Sequence, residues 1–502
     1  MNGPPTTAQR CDLLVVGGGI NGCGTARDAA GRGFRVLLCE QDDLASHTSS
    51  ASTKLVHGGL RYLEQLEFRL VRKALQEREV LLAAAPHIIR PMRFVLPHDQ
   101  RLRPAWLIRA GLFIYDHLAR RARFPESAQV DLRQHPAGEP LDGRFRIGFE
   151  YSDGWVDDAR LVVLNAVDAR DRGATVLTRT RCERLEPTDG GWRGTLRRPD
   201  GTRLLVDARV VVNAAGPWAA RFLRERTPVR SRNGVRLVKG SHIVVPRLFR
   251  HPYAYLLQGP DRRVVFAIPY EEDYTLIGTT DVDFAAEAGA TAITEQETAY
   301  LCEVAGRYFS RRIAPADVVW SFAGLRPLLA DREADAPSAS RDYVLEVNRD
   351  GAPLLSIFGG KITTFRRLAE QAIDRLGEIL RRPSPGWTGR APLPGGDLPN
   401  ADFGAFLAEC ARRWPWMPET MLRRMARAYG TRLGLILEGA ERLEDLGQRF
   451  AAGLHERELE YLRQQEWVMR AEDVLWRRTK LGLRLAPGDA CRIDEWLSGR
   501  AA

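Results

Sequence analysis

Gly17, Gly19 and Gly22 stand at the spacing G-x-G-x-x-G behind an apolar run, and Glu40 follows 23 residues after Gly17. A glycine at the first position permits a tight turn, one at the second lets the backbone approach a pyrophosphate, and one at the third lets a helix pack on its strand. The helix N-terminus then favours phosphate charge. An acid at the end of the second strand can accept hydrogen bonds from ribose hydroxyls. The chemistry implied is the binding of a dinucleotide.

Only five of the 74 basic residues are lysine: Lys54, Lys73, Lys239, Lys361 and Lys480. Three of them lie in Gly/Ser-rich segments, STK at Lys54, KGSH at Lys239 and GGK at Lys361, where a compact ammonium differs most from a planar guanidinium. These three are candidate site residues, set against the reading of lysines scattered on a surface.

Elements must hold these groups. The pattern predicts a strand over 13–16, a helix carrying Ala26, Ala29 and Ala30 that stops at 31–33, and a strand over 35–39. DDLASHTSSASTKLVHGGLRYLE follows, too rich in Ser, Thr and Gly for a core element, and is predicted as a ligand-facing loop. Helices are expected over 64–85 and 157–172, then a strand over 174–180 and a three-stranded meander before an apolar strand over 210–212. Between 235 and 350 the signal is mainly β, over 237–245, 264–268, 275–278, 318–323 and 343–347, interrupted by a helix that the Thr294/Glu297 capping box begins. A strand over 354–358 turns at Gly359-Gly360-Lys361 into another helix. From 399 onward the pattern is entirely helical, and the Pro/Gly stretch 383–396 is the clearest boundary. The meander interrupts the regular βα plan, which favours FAD over NAD. With no second G-x-G-x-x-G, electrons are expected to enter from a small substrate and leave to an acceptor other than NAD.

At 502 residues, two or three packed units are expected. No apolar stretch is long enough to span a bilayer, and the N-terminus has neither a charged n-region nor an apolar h-region, so residence in the cytoplasm is expected. Seven scattered cysteines without CxxC spacing read as reduced. A net charge of +10 fits nucleic acid, an anionic membrane surface or acidic substrates. Basic residues spread along the chain without an aromatic-interleaved patch argue against nucleic acid.

The segments VVGGGINGCGTARDAAGRG, TSSASTKLVHGGLRYLE, GFEYSDGWVDDARLV, VNAAGPW, KGSHIVVP, IGTTDV, GLRPL and FGGKITTFRRLAE resemble the bacterial aerobic glycerol-3-phosphate dehydrogenases, of the D-amino-acid-oxidase-like FAD superfamily. The resemblance covers nearly the whole chain, and EWVMRAEDVLWRRTKLGL resembles that family's helical cap. It implies an α/β fold: a Rossmann-like FAD-binding domain (about 1–85, 155–235 and 341–390) interleaved with a mainly β substrate domain (about 86–154 and 236–340), plus an all-helical C-terminal cap over 391–502. It implies oxidation of sn-glycerol 3-phosphate to dihydroxyacetone phosphate.

Carried over position by position, FAD contacts are expected at Gly17, Gly19, Ile20, Asn21, Gly22, Glu40, Ser49, Ser52, Thr53, Lys54, Gly58, Gly59, Leu60, Ala215, Gly216, Gly359, Lys361, Ile362 and Thr363. The family often has threonine where Ala215 stands. Arg61, Tyr62, His242, Arg326, Arg341 and Lys361 are expected to line the substrate pocket, with His242, Arg326 and Lys361 catalytic. His242 is the candidate base because its ordinary pKa lies nearest the working pH. A structural histidine, with water or a group beside Arg326 taking the proton, is the alternative.

The chain lacks the insertion of the family's oxygen-using relatives, so ubiquinone or menaquinone is the expected acceptor, at the cytoplasmic face of the inner membrane. It also lacks an EF-hand loop, and no metal is expected. A homodimer is expected. In RPAWLIRAGLFIYDHLARRAR, helical spacing puts Arg109, Asp116, Arg120 and Arg123 on one face and Leu107, Ile108, Gly111, Ile114 and Leu118 on the other, which suits lipid contact or internal packing. An amine or amino-acid oxidase of the same superfamily and a non-enzymatic basic flavoprotein are the competing readings.

Overall fold

The apolar run ahead of the glycines is strand β1, Gln9–Val16, in which Leu13, Leu14 and Val15 are fully buried. The computed structural model describes residues 8–99, 103–231, 233–289, 291–329 and 343–500. β1 runs between two parallel neighbours, Arg203–Asn213 and β2, Val36–Cys39, so that Val16 lies opposite both Asn213 and Cys39. Leu354–Phe358 and Thr175–Leu177 extend this parallel sheet on either side, and Val344–Asn348 adds an antiparallel edge. Its strands are apolar on both faces because both are covered. Leu13 and Val15 meet helix α1, Ile20–Gly31, and the helices Asp158–Asp171 and Phe365–Ile379, while Leu14 and Val16 face the hairpin Arg181–Thr188/Gly191–Arg197 and the helix Ala219–Arg226.

The chain leaves this sheet repeatedly. Leu55–Val56, Ile89–Pro97, Ala128–Asp131 and Ile147–Val156 belong to a second, ten-stranded sheet, as do the strands from Val235–Pro246 to Trp320–Leu329. The two sheets are thus interleaved along the sequence, as the expected α/β fold with a mainly β second domain requires.

The strands Ile89–Pro97, Ala128–Asp131, Ile147–Val156 and Ala254–Gln258 carry no strand expectation in the sequence. Ile147–Val156 shows why: it buries Glu150, Ser152 and Asp153, which interrupt an apolar pattern. Tertiary partners allow this, since Arg93 Nε donates to Glu150 Oε1 at 2.5 Å and Arg78 Nη1 to Asp153 Oδ1 at 2.8 Å. The helix expected from 64 begins only at Phe68; Leu60–Gln65 is a 3₁₀ turn that ends at Leu66 with φ 59°.

The C-terminal part is helical, with its own core around Met421, Met425, Leu459, Leu462, Val474 and Ile493. Contrary to the entirely helical expectation, it holds a two-stranded hairpin, Arg449–Ala451/Leu454–His455, and a π-helical turn, Asp473–Arg478. That turn is pinned to the parallel sheet's loops. Arg478 donates two bonds to buried Asp43, at 2.9 and 2.8 Å, and Arg477 Nε a third at 2.7 Å.

Candidate active site

The motif glycines do different jobs. A Cβ on Gly22 would sit 1.9 Å from the Gly17 carbonyl oxygen, and one on Gly17, whose φ is 114°, would sit 2.5 Å from the Ala214 carbonyl oxygen. Those two glycines let α1 and the end of Arg203–Asn213 close on the turn. A Cβ on Gly19 would meet only the Ser49 hydroxyl, at 3.1 Å, so its missing side chain leaves room for a group outside the protein core. Glu40, at the tip of β2, accepts from Gly18 N at 2.6 Å and Asp42 N at 2.9 Å, and burial pushes its carboxyl above the ordinary value. A carboxylate has about four acceptor sites, so capacity remains for hydroxyls. Asn21 donates to Gly359 O at 3.2 Å, but its own Oδ1 is buried without a protein partner.

These groups line a cleft of about 1040 Å³ whose walls come from both sheets. Of the residues expected to contact a cofactor, Gly17, Gly19, Ile20, Asn21, Glu40, Ser49, Ser52, Thr53, Gly59, Leu60, Ala215, Gly216, Gly359, Lys361, Ile362 and Thr363 line it. Gly22, Lys54 and Gly58 do not. Lys54 is buried behind the wall, where its ammonium meets Asp158 Oδ1 at 2.7 Å and Ser50 O at 3.1 Å. Lys239, read from the sequence as a second candidate ammonium, is buried against Glu297 Oε2 at 2.8 Å and also stands outside the cleft.

Among the expected substrate residues, Arg61, Tyr62, Arg326 and Lys361 line the same cleft. Lys361 Nζ donates to the Tyr62 hydroxyl at 3.0 Å. Arg326 Nη2 donates to Thr279 Oγ1 at 2.8 Å and Nη1 contacts Asp281. Arg341 lies outside the described residues. His242 is buried one layer back, and its Nε2 lies 2.9 Å from Thr53 Oγ1, which does reach the cleft. Burial, followed by the positive charges of Arg326 and Lys54, holds its imidazole well below the usual pKa, so the ring is neutral in the resting site.

The model of a family described as FAD dependent oxidoreductase matches residues 12–366, and that of the C-terminal domain of alpha-glycerophosphate oxidase matches 387–490. The chain belongs to the FAD-dependent oxidoreductases. It is 52% identical over 493 residues to a glycerol-3-phosphate dehydrogenase of Pseudomonas aeruginosa, covering 98% of this chain and 95% of that protein. It is 51% identical over 490 residues to a D-erythritol 1-phosphate dehydrogenase of Brucella abortus, covering 97% and 98%. The crystal structure of a glycerol-3-phosphate dehydrogenase from Bacillus halodurans complexed with FAD superposes with a TM-score of 0.77 at 29% identity, covering 98% of this chain and 95% of that one.

FAD is the cofactor of this oxidoreductase, and the open space at Gly19, the free acceptor of Asn21 and the capacity of Glu40 suit a pyrophosphate and a ribose. Several residues of the flavoenzyme's cleft were assigned no role from the sequence, among them Arg221, Arg236, Thr279 and Asp281, while Thr48 belongs to the loop expected to face a ligand. Asp281 stands in the IGTTDV segment, which was a signal without an assigned role. Glu40, Asp42 and His47 bring ligand-type atoms within 4.8 Å of one another; Asp42 and His47 pair at 2.9 Å, and each Glu40 oxygen accepts one backbone N–H.

Proposed function

We propose that this flavoenzyme oxidises sn-glycerol 3-phosphate to dihydroxyacetone phosphate and passes the electrons to a membrane quinone, ubiquinone or menaquinone. The observation that carries this reading is that Arg61, Arg326 and Lys361 line the cleft that holds the glycine cradle, so a dianionic phosphate ester meets fixed cations there. Relatives named glycerol-3-phosphate dehydrogenase support it.

Bound FAD supplies the hydride acceptor, N5, for the hydrogen on C2. Arginine forks bind the phosphate, and Arg326 and Lys361 stabilise the negative charge developing on the C2 oxygen. The hydroxyl proton leaves through Thr53 to His242 Nε2, the buried neutral base. Tyr62, hydrogen-bonded to Lys361, holds the ammonium in place.

Contact with a bilayer is supported by the helix Ala105–His117. No helix among the described residues is long and apolar enough to cross a membrane. Ala105, Ile108, Leu112 and Tyr115 pack inward, at the spacing of one helical stripe. Trp106 and Phe113 stand 71% and 63% exposed, beside Leu107 and Ile114, with Arg109 and Arg120 also exposed. An apolar face with basic neighbours suits an anionic lipid surface. The Tyr115 hydroxyl donates to Asp153 at 2.7 Å and accepts from Gly58 N at 3.0 Å, which ties this helix to the loop that carries Arg61 and Tyr62.

A second substrate is favoured by one observation, the 51% identity to a D-erythritol 1-phosphate dehydrogenase. Anaerobic addition of substrates to the detergent-purified yellow protein tests both. Glycerol 3-phosphate is expected to bleach the flavin absorbance fastest. Bleaching by D-erythritol 1-phosphate alone would reassign the substrate, and bleaching by glycine or sarcosine alone would overturn the phosphate reading.

A further inference from the structure

The strand Trp320–Leu329 pairs antiparallel with Val235–Pro246, placing Phe322 opposite His242 and Trp320 opposite Val244. Alternate residues of a strand share a face, so Trp320, Phe322, Gly324 and Arg326 form one row. At one end of that row Arg326 reaches the cleft across Gly240, where an added Cβ would fall 2.4 Å from the guanidinium. In the middle Gly324 packs on Ala51 and Thr48, in the loop that lines the cleft. Phe322 stacks on His242 at 4.7 Å and 12°.

At the far end the row leaves the antiparallel sheet. Trp320 stacks on Trp476 of the π-helical turn, with centroids 4.1 Å apart and planes 15° apart. That ring has little freedom. A Cβ on Gly482 would fall 2.5 Å from it, Lys480 Nζ donates to the Trp476 carbonyl at 2.7 Å, and both neighbours on its C-terminal side, Arg477 and Arg478, are clamped to Asp43. Among the described residues, the C-terminal part contributes none to the lining of the cleft. It is linked to the base by a row of rings instead: Trp476 stacks on Trp320, Trp320 lies tilted against Phe322 at 5.0 Å, and Phe322 stacks on His242.

We infer that Trp476 is a positioning residue of the active site, holding the strand Trp320–Leu329 so that Phe322 keeps His242 dry and aligned on Thr53 while Arg326 stays at the cleft wall. This rests on His242 as the base. The groups facing the imidazole are Thr53 and Lys54 from the loop ahead of Leu55–Val56, Phe322 and Arg326 from the stacked strand, and Gly278 from Tyr274–Gly278; the counter-ion of Lys54, Asp158, belongs to a helix. Both charges are positive, and with burial they hold the ring neutral. Loosening the stack admits water and lets the imidazole titrate nearer its ordinary value, so the acid side of the pH profile moves to higher pH.

The test uses the full-length, FAD-loaded protein with a soluble electron acceptor, comparing the parent with Trp476→Phe, Trp476→Leu and His242→Gln. Flavin content and thermal unfolding establish that each variant is folded. Trp476→Leu keeps apolar bulk but no ring; it is expected to lower kcat about tenfold or more, the scale of a small misplacement of catalytic groups, and to move the acid limb upward. Trp476→Phe restores a stacking ring and is expected to keep both within about twofold of the parent. Should Trp476→Leu lose its flavin, Gly482→Ala displaces the same ring and is read instead. A flavin-loaded leucine variant with the parent's kcat and acid limb overturns the inference, as does equal loss in the leucine and phenylalanine variants with an unmoved limb. If His242→Gln itself leaves kcat and the pH profile unchanged, the base assignment fails; if it removes the acid limb while Trp476→Leu leaves it in place, the base stands and the positioning role falls.

Discussion

Gly19 and Gly22 share a motif but predict opposite phenotypes. Gly22→Ala forces a methyl against the Gly17 carbonyl, a backbone atom that cannot step aside, so the expected outcome is little soluble protein. Gly19→Ala meets only a serine hydroxyl, so the chain is expected to fold with normal circular dichroism and lose flavin on gel filtration. The two are separated by measuring soluble yield and FAD content together. Arg326→Lys keeps the charge and loses the planar fork that reaches Thr279 and Asp281; kcat/KM for glycerol 3-phosphate is expected to fall roughly 10²-fold, the cost of one misplaced charge-stabilising donor. At this scale the glycines and Glu40 were legible because their roles depend on local spacing. Lys54 and Lys239 were not: the same Gly/Ser-rich context that suggested ligand contact suits an ammonium buried on a carboxylate, and only the fold supplies Asp158 and Glu297.

Helix Ala105–His117 shows how an element can be read correctly and faced wrongly. Helical spacing in the sequence grouped Leu107, Ile108, Gly111, Ile114 and Leu118, yet the packed stripe is Ala105, Ile108, Leu112 and Tyr115, which leaves Trp106, Leu107, Phe113 and Ile114 toward solvent. A helix apolar nearly all round does not declare which side the core takes. Replacing Trp106 and Phe113 by serine is expected to reduce cosedimentation with anionic phospholipid vesicles at least tenfold, because roughly 1.5–3 kcal/mol accompanies burial of each large apolar side chain. Turnover with a soluble acceptor is expected to stay at the parent level, and vesicle binding equal to the parent's would remove this helix from the lipid contact. Helix Asp158–Asp171 is a case in which local signals sufficed: Asp157 caps it, accepting from Arg160 N at 3.2 Å, and Gly173, φ 92°, follows its end.

Across the whole molecule, stability depends on buried charges that join the C-terminal part to the rest. Asp43 is shared by Arg477 and Arg478, so Asp43→Asn is expected to destabilise by about 1.5–3 kcal/mol in denaturant unfolding: it removes charge-assisted bonds from both guanidinium groups, although Arg477 keeps Asp473 and Glu472 and Arg478 keeps Glu466. His87 contributes a pH dependence. It is fully buried, neither ring nitrogen has a protein partner, and burial together with Arg160 and Arg427 lowers its pKa from 6.5 to about 3. Between those values the unfolded chain binds a proton that the folded chain refuses. Stability therefore rises with pH from about 3 to about 6.5 and is level above, with a contribution of about 1.4 kcal/mol per unit at most. His87→Leu is expected to flatten the dependence of unfolding free energy on pH between 4 and 6; an unchanged slope would place the effect elsewhere.

From the order of residues came the dinucleotide cradle and the helical character of the C-terminal part, while the interleaving of two domains and the choice of Arg61, Arg326 and Lys361 rested on the family resemblance. These follow from short-range spacing and from motifs that stay intact along the chain. The tertiary structure decided which of those cations face the cleft, why His242 stands behind Thr53, and how Trp476 comes to lie on Trp320. Those outcomes depend on partners far apart in sequence, from 104 positions for Lys54 and Asp158 to 189 for Thr53 and His242, and no local pattern records a contact made by folding alone.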